Sequence, residues 1–513
     1  MKKQNIISIL AVVAFSMTMV SCFSDDTTLG DRPLSDIYID SMSVKTVYNV
    51  NKNSTLHISP VISQTNTQKE LTYTWEINQE VFSHEKELDY PAKYLGTYPA
   101  RLIVENEDGK SFFAFTINVN TIYEEGIAVL SNDGEGRSML SFMLTPTDAQ
   151  DSRYFYEGDC FAANNDDTFF ASNAVDMVQS SGSLILVCQG NSKWQDNHNA
   201  NPKYEDVPTL YYLNEKTFVA ENILKVAEYA DFCPTHIVLP SEGASGVAYP
   251  ILCKNGNIYE FSSTEGAVAR PTKLPYNYAQ TCMVHDDGSG MSFELIFWDK
   301  TVKGLCEVYS GYGPYYCGEE YHLSRDACSG SKNFFNGLDI VKIVPISYTK
   351  SQSSENPQML VLTKNAFATR RVIMSTTFWS HDYSLGVNYL DYTENSNVGV
   401  GTNILNENTP CVANLTYRSM LFADGNKVRR WYYSSTQVDL HSAPTLQTFG
   451  SASAKVTDLV LSADHKTTYV AFYEPEKPGL NGSIYVIDTD TGEILERHEN
   501  VCYKPVKMIY KKK

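Results

Sequence analysis

Basic residues are scarce in this chain. Its 513 residues hold 41 Lys and Arg against 60 Asp and Glu, a formal net charge of −19. A surface of that sign repels phosphate backbones and argues against nucleic acid as a partner. The one basic run, Lys511–Lys513, reads as a solvated tail. After the first twenty residues no apolar stretch is long enough to span a bilayer as a helix. Catalytic signatures are missing too: there is no HExxH pair, no GxSxG elbow, no Walker loop and no GxGxxG following a strand pattern. The 10 His are scattered singly and the 11 Cys contain no CxxC pair, so no metal, cofactor or catalytic residue is assigned. His236 and His285 fall at strand ends and read as structural or solvated. The run Asp488-Thr-Asp-Thr-Gly-Glu493 lacks the remaining ligands of a calcium loop and reads as a hairpin turn with a left-handed Gly, as do Asn132-Asp-Gly134 and Asp286-Asp-Gly-Ser-Gly290.

What the chain does have is a repeated hairpin. In Ile251-Leu-Cys-Lys-Asn-Gly-Asn-Ile-Tyr-Glu-Phe261 a short apolar run enters an Asn-Gly turn and an alternating run leaves it. The same grammar returns at Met420–Trp431, and at Tyr469–Phe472 with Gly482–Asp488. Looser copies are Leu184–Val187 with Thr209–Tyr212, Leu295–Trp298 with Leu305–Val308, and Met359–Leu362 with Arg371–Met374. Hairpins recurring at such intervals mark a radial β array, a propeller of about seven blades. The stretch from Tyr278 to Arg325 is its least regular member. The array begins near Gly126–Leu130, and after its last hairpin one more strand remains, Pro505–Tyr510. That strand is expected to become the innermost strand of the first blade, beside Gly126–Leu130 and Met139–Leu144, which removes the open sheet edges.

Upstream lies a separate all-β segment with alternating runs at Ile37–Ile39, Thr55–Ile58, Leu71–Ile77, Ala100–Val104 and Phe112–Val119, separated by turns at Asn51–Asn53 and Glu107–Gly109. Short strands at this spacing predict an Ig-like sandwich, with Trp75 as its inward aromatic and Tyr98 as a corner residue. Tyr73-Thr-Trp75 and Gly96-Thr-Tyr-Pro-Ala-Arg-Leu-Ile-Val104 resemble the PKD family of sandwich domains, with Asn78-Gln-Glu80 where that family carries an acidic turn. At the N-terminus, Lys2-Lys3, the apolar stretch Ile6–Val20 and then Ser21-Cys22 read as an export signal. The small residue before Cys22 resembles a bacterial lipobox, which implies acylation of Cys22 as a lipid anchor. The acids of Phe23-Ser-Asp-Asp26 resemble the surface-export signal of outer-membrane lipoproteins in the Bacteroides group. The expected organisation is a signal peptide over 1–21, a tether over 22–35, the sandwich over 36–121 and the propeller over 122–513.

Three loops concentrate aromatics: 190–204 with Trp194 and Tyr204, 309–321 with Tyr312, Tyr315 and Tyr316, and 377–392 with Trp379 and Tyr383. Flat rings beside Asn, Asp and Gln suit sugar rings, and equally peptides or protein partners. Against this stands the ordinary use of loop aromatics, which is to pin a loop onto its own domain. The inserts after Gly190 and Thr377 share a face if they join second to third and fourth to first strands of their blades. Cys188 and Cys253 end equivalent apolar strands, where a buried thiol is the ordinary reading. Cys306, Cys317 and Cys328 cluster around one loop, where a disulfide is open as to partners.

As a whole the layout resembles the PKD-like family lipoproteins of the Bacteroides lineage. The resemblance implies a surface-exposed, outer-membrane lipoprotein accessory to a TonB-dependent SusC/SusD-like uptake system. It would be non-enzymatic, binding glycan or peptide through its aromatic loops. A purely structural subunit of that complex is one alternative, and a carbohydrate-active hydrolase or lyase using channel acids is the other.

Overall fold

The computed structural model describes residues 34–52, 54–121, 123–144, 154–155, 158–180, 182–191, 206–238, 248–262, 265–269, 278–286, 293–299, 304–310, 321–322, 340–347, 349–352, 358–363, 369–374, 390–395, 405–433 and 440–512. Among them there are strands and short 3-10 turns and no α-helix, and no helix is long and apolar enough to cross a membrane. The chain divides into two compact units, Met1–Thr121 and Ile122–Lys513.

The first unit carries a five-stranded sheet in the order Val47–Asn51, Gly109–Asn120, Gly96–Asn106, Thr72–Ile77, Glu80–Ser83, its first pair parallel. Two short ribbons, Ile37–Ile39 with Ile62–Gln64 and Thr55–Ile58 with Leu88–Pro91, join it over one core. Trp75 is fully buried there, edge-on to Phe115, and its indole N–H donates to the Glu85 carbonyl at 2.9 Å. The Tyr98 hydroxyl bonds back to the carbonyls of Tyr94 and Leu95, the local tie of a tyrosine corner. Sequence reading missed Glu80–Ser83. Asn78 and Gln79, at φ 52° and 71°, turn the chain tightly enough to pair Ile77 with Glu80.

The second unit is a propeller-type succession of antiparallel sheets. Five have four strands, and an eight-stranded sheet contains two such groups joined by parallel pairing of Ile346 with Ala413 and Ser347 with Asn414. All six expected hairpins are present. Val187 opposes Leu210, Leu252 opposes Ile258, Leu295 opposes Val308, Met359 opposes Val372, Ala423 opposes Val428, and Phe472 opposes Ser483. The turn after Cys253 uses Gly256 at φ 88°, and the one after Asp424 uses Gly425 at φ 61°.

The second strands are apolar without alternation because both faces are covered. In Ser183–Cys188 every residue is buried. Leu184, Leu186 and Cys188 face a cluster with Leu140, Phe142 and Phe218, while Ile185 and Val187 face one with Ile251, Tyr259 and Phe261. Each large side chain so buried contributes about 1.5–3 kcal/mol.

The C-terminal strand Lys504–Lys511 pairs with Gly126–Asn132, with Ile127 opposite Tyr510 and Val129 opposite Met508. It forms the first strand of a sheet completed by Ser138–Leu144 and Tyr154–Phe155, so the two ends of the unit close one sheet. The Gly126/Lys511 end of this pairing is tied down. Gln179 exchanges two hydrogen bonds with the backbone of Lys512, the Tyr510 hydroxyl bonds Glu125, and the Lys511 ammonium bonds the Glu124 carbonyl.

Candidate functional site

The first strand of each group lies innermost. Lys455–Leu461 packs against Lys504–Lys511, which packs against Ala174–Ser180, which packs against Pro234–Ile237. Tyr278–Asp286 packs against Ile340–Ser347, and Cys411–Asn414 connects that strand to Lys455–Leu461.

Five of these inner strands carry a bulge near their start. The ladder steps from Ala174 to Asp176, from Pro234 to His236, from Ile340 to Lys342, from Val456 to Asp458, and from Pro505 to Lys507, while the partner strand advances by one residue. An extra residue twists the strand and re-aims the side chain that follows it. Asp176, His236, Lys342, Asp458 and Lys507 therefore occupy one structural position repeated around the axis.

Four of the five reach forward to the next inner strand or to the segment leading into it. Asp458 Oδ2 accepts the Met508 N–H at 2.6 Å. Lys507 Nζ meets Asp176 Oδ1 at 3.1 Å. Asp176 Oδ2 accepts the Ile237 N–H at 3.1 Å. Lys342 Nζ donates to the Glu407 carbonyl at 2.8 Å, just before Cys411–Asn414. Each Asp also accepts the N–H of its own successor, Met177 at 3.0 Å and Leu459 at 2.9 Å. The result is a head-to-tail series of side-chain staples running one way around the ring.

At His236 the series is open. Its Nδ1 is buried and has no hydrogen-bond partner among the described residues. Burial holds this imidazole below its ordinary value, opposed by Asp176 and reinforced by the ammonium groups of Lys507 and Lys342. Burial pushes the Asp458 carboxyl up, while Lys507 and the N–H groups of Met508 and Leu459 pull it back. Both carboxylates have their oxygens engaged by backbone donors, which makes them staples rather than free bases or nucleophiles. Among the described residues no three His, Cys, Asp or Glu side chains stand close enough to hold a metal.

Sequence reading passed over this ring and placed His236 among structural or solvated residues. A signal was present. Val175-Asp-Met-Val178, Thr235-His-Ile-Val238, Val341-Lys-Ile-Val344, Thr457-Asp-Leu-Val460 and Val506-Lys-Met-Ile509 share one pattern, and Thr281-Cys-Met-Val284 sets Cys282 at the same register position. The polar residue breaks an apolar run once per sheet, at the bulge.

The expected site residues Trp194, Tyr204, Tyr312, Tyr315, Tyr316, Trp379 and Tyr383, and the anchor Cys22, lie outside the described residues. The flanking strands correct one expectation. Residues 375–389 join Thr369–Met374 to Leu390–Asn395, a third-to-fourth connection rather than a fourth-to-first one. Residues 311–320 also join third to fourth strands, Gly304–Ser310 to Tyr321–His322, whereas 189–208 joins second to third. In an antiparallel group these two kinds of connection leave from opposite strand ends. Cys188 and Cys253 do occupy equivalent places, opposite Ala174 and Pro234, and both thiols are buried and pushed up by that burial. The turn at Asp488 is a hairpin turn. The Asp488 carboxylate accepts the N–H groups of Asp490 and Thr491, and Gly492 takes φ 75°.

No protein-family model and no curated protein matches the chain. Among solved structures it is similar to a quinoprotein alcohol dehydrogenase-like protein from Bacteroides thetaiotaomicron, at 14% identity and TM-score 0.47 over 93% of this chain and 99% of that one. It is similar to the Swd1 β-propeller domain from Myceliophteria thermophila at 12% identity and TM-score 0.35, over 65% and 87%. It is similar to hydrazine synthase from Kuenenia stuttgartiensis at 10% identity and TM-score 0.37, over 71% and 95%. The propeller reading rests on the strand order above and not on these likenesses.

Proposed function

We propose that the protein is a non-enzymatic binding subunit anchored by acylated Cys22 to the outer membrane and facing the cell exterior. Its first unit is a PKD-like spacer or docking module. Its second is a seven-bladed ring, the eight-stranded sheet counting as two blades, whose loops with Trp194, Tyr204, Tyr312, Tyr315, Tyr316, Trp379 and Tyr383 take glycan or peptide for a SusC/SusD-like importer. The observation that carries the non-enzymatic part is the engagement of Asp176 and Asp458, the acids best placed for channel chemistry, in stitching one inner strand to the next. A ring stapled at its axis is a rigid platform, and on rigid β scaffolds recognition falls to the loops.

The test uses lipid-free protein starting at Phe23 on immobilised polysaccharides and peptides. Trp379→Ala or Trp194→Ala is expected to weaken retention by about tenfold, the loss of one aromatic anchor. Retention of uptake-complex proteins without any glycan or peptide would shift the reading to a structural subunit. Turnover of an oligosaccharide, abolished in folded Asp176→Asn or Asp458→Asn protein, would overturn it. In cells, labelled palmitate is expected to enter the wild-type chain and not the Cys22→Ala variant.

A further inference from the structure

The sandwich unit shows more apolar surface than its fold requires. Of the fourteen large hydrophobic residues exposed among the described residues, nine lie between Leu34 and Phe112, while the core of this unit closes around Trp75, Leu102 and Phe115. Three of the nine share the outward face of the five-stranded sheet: Phe112 at 58% exposure, Val81 at 57% and Val47 at 48%. Side chains alternate along a strand, so with Trp75, Leu102 and Phe115 turned to the core their neighbours form that face. The register sets it in rows. One row runs Phe112, Ile103, Thr74, and the next runs Ala114, Arg101, Glu76, Val81. The Arg101 guanidinium stands 6.0 Å from the centre of the Phe112 ring and bonds the Glu76 carboxylate. Farther along, Asn118 donates to Asn49 at 3.0 Å and accepts from Thr97 at 3.1 Å. On the other side of Phe112 the row Lys110, Glu105, Thr72 borders an open hollow of about 480 Å³, which Gln68, Lys69, Asn106 and Glu107 also line. That is the size of a small-ligand site.

The charges along this surface come as pairs: Arg101 with Glu76, Lys110 with Glu105 at 2.8 Å, and Lys69 with Glu107 at 3.0 Å. An ionic ligand would have to compete with them. A hydroxyl both donates and accepts, so a cation and a carboxylate side by side serve it without being parted. Size argues against a second copy of the chain as the occupant. Five strands about 4.8 Å apart, with rows from Phe112 to Asn118, give a face of about 20 by 20 Å. Two such faces would bury about 800 Å² between them, short of the roughly 1,200 Å² of a stable interface. We propose that this face binds a neutral oligosaccharide. One sugar sits in the hollow beside Thr72 and Glu105, and the chain runs on over the Phe112 ring toward Arg101 and Glu76. The ring supplies the stacking surface, and the ion pairs with the Asn118 amide supply hydroxyl partners. The inference goes beyond the loop reading, in which the sandwich is a spacer or docking module, and uses none of the loop aromatics.

The experiment runs the lipid-free chain starting at Phe23 through native gels cast with increasing amounts of a neutral glucan, a neutral mannan or anionic polygalacturonate. A dissociation constant is read from the loss of mobility. To separate this face from the loops, the variants are made in a chain already carrying Trp194→Ala and Trp379→Ala. At least one neutral polysaccharide is expected to retard that chain. Phe112→Ala is expected to raise the dissociation constant by about tenfold, the loss of one aromatic anchor, and Thr72→Trp, which fills the hollow, to weaken binding as well. Tyr38→Ala, at an exposed ring on the ribbon strand Ile37–Ile39, is expected to change nothing. Retardation of the wild type that vanishes in the loop-variant chain would place the glycan on the loops and overturn this proposal alone. Retardation that survives there and falls with Phe112→Ala supports it whether or not the loops bind. No retardation by either neutral polysaccharide, a dissociation constant unmoved by both face variants, or a concentration-dependent dimer that Phe112→Ala dissolves would overturn it.

Discussion

Asp458 shows how a single residue can be costly and structural at once. Its carboxylate is carried into the ring with only N–H donors and a nearby ammonium to replace water. Removing one member of a buried charged network leaves the others uncompensated, at about 3–5 kcal/mol. Asp458→Ala should lower stability by that order in urea unfolding, and Asp176→Ala likewise. Asparagine at either position keeps an acceptor oxygen and should cost less. Lys511 gives the opposite kind of signature. Its side chain is buried at the end of the closing strand, and that burial lowers its pKa to about 8, with Glu215, Glu124 and Glu125 opposing. The unfolded chain holds this proton up to about pH 10.4, so between pH 8 and that value the unfolded state binds more protons and stability rises with pH. The gain is about 3 kcal/mol across the window and is absent below it. The difference in unfolding free energy between wild type and Lys511→Met, followed from pH 7 to 10.5, should change by that amount in favour of wild type.

At the scale of elements, hairpins were the legible part. Asn255-Gly256 and Gly425-Asn426 announce tight turns because few other pairs tolerate the backbone they need, and continuous apolar runs such as Leu184–Val187 announce strands covered on both faces. The bulges were not legible. An extra residue such as Val175 looks like any strand residue, and its effect appears only in the register with Ser183–Cys188. The ring of Asp176, His236, Lys342, Asp458 and Lys507 left its shared pattern in the sequence, a polar residue breaking an apolar run, but that pattern does not by itself bring together residues that sit in different sheets. Short polar strands such as Glu80–Ser83 and Ile62–Gln64 escaped because they carry too few residues to show a period. Packing between sheets makes a direct prediction. Leu186 is fully buried in the cluster shared by two neighbouring sheets, and Leu186→Ala should cost about 2–5 kcal/mol in chemical unfolding. Gly126→Ala tests the closing sheet instead. A Cβ there would run into the Met143 carbonyl and the Phe142 ring, so the variant should lose about 1–3 kcal/mol through forced backbone shift.

For the propeller unit as a whole, closure by the chain's own last strand is what turns a row of sheets into a ring. Lys504–Lys511 satisfies the edge of Gly126–Asn132, receives the Asp458 staple through Met508, and passes the next one to Asp176 through Lys507. The closed ring depends on that one pairing. Residue-resolved amide hydrogen exchange on the full chain tests it most directly. The amides of Ile127–Leu130 and of Lys507–Tyr510 that face each other are expected to show the same high protection and to lose it together as denaturant is added. Fast, unprotected exchange across Lys504–Lys511 while Gly126–Asn132 stays protected would contradict the account.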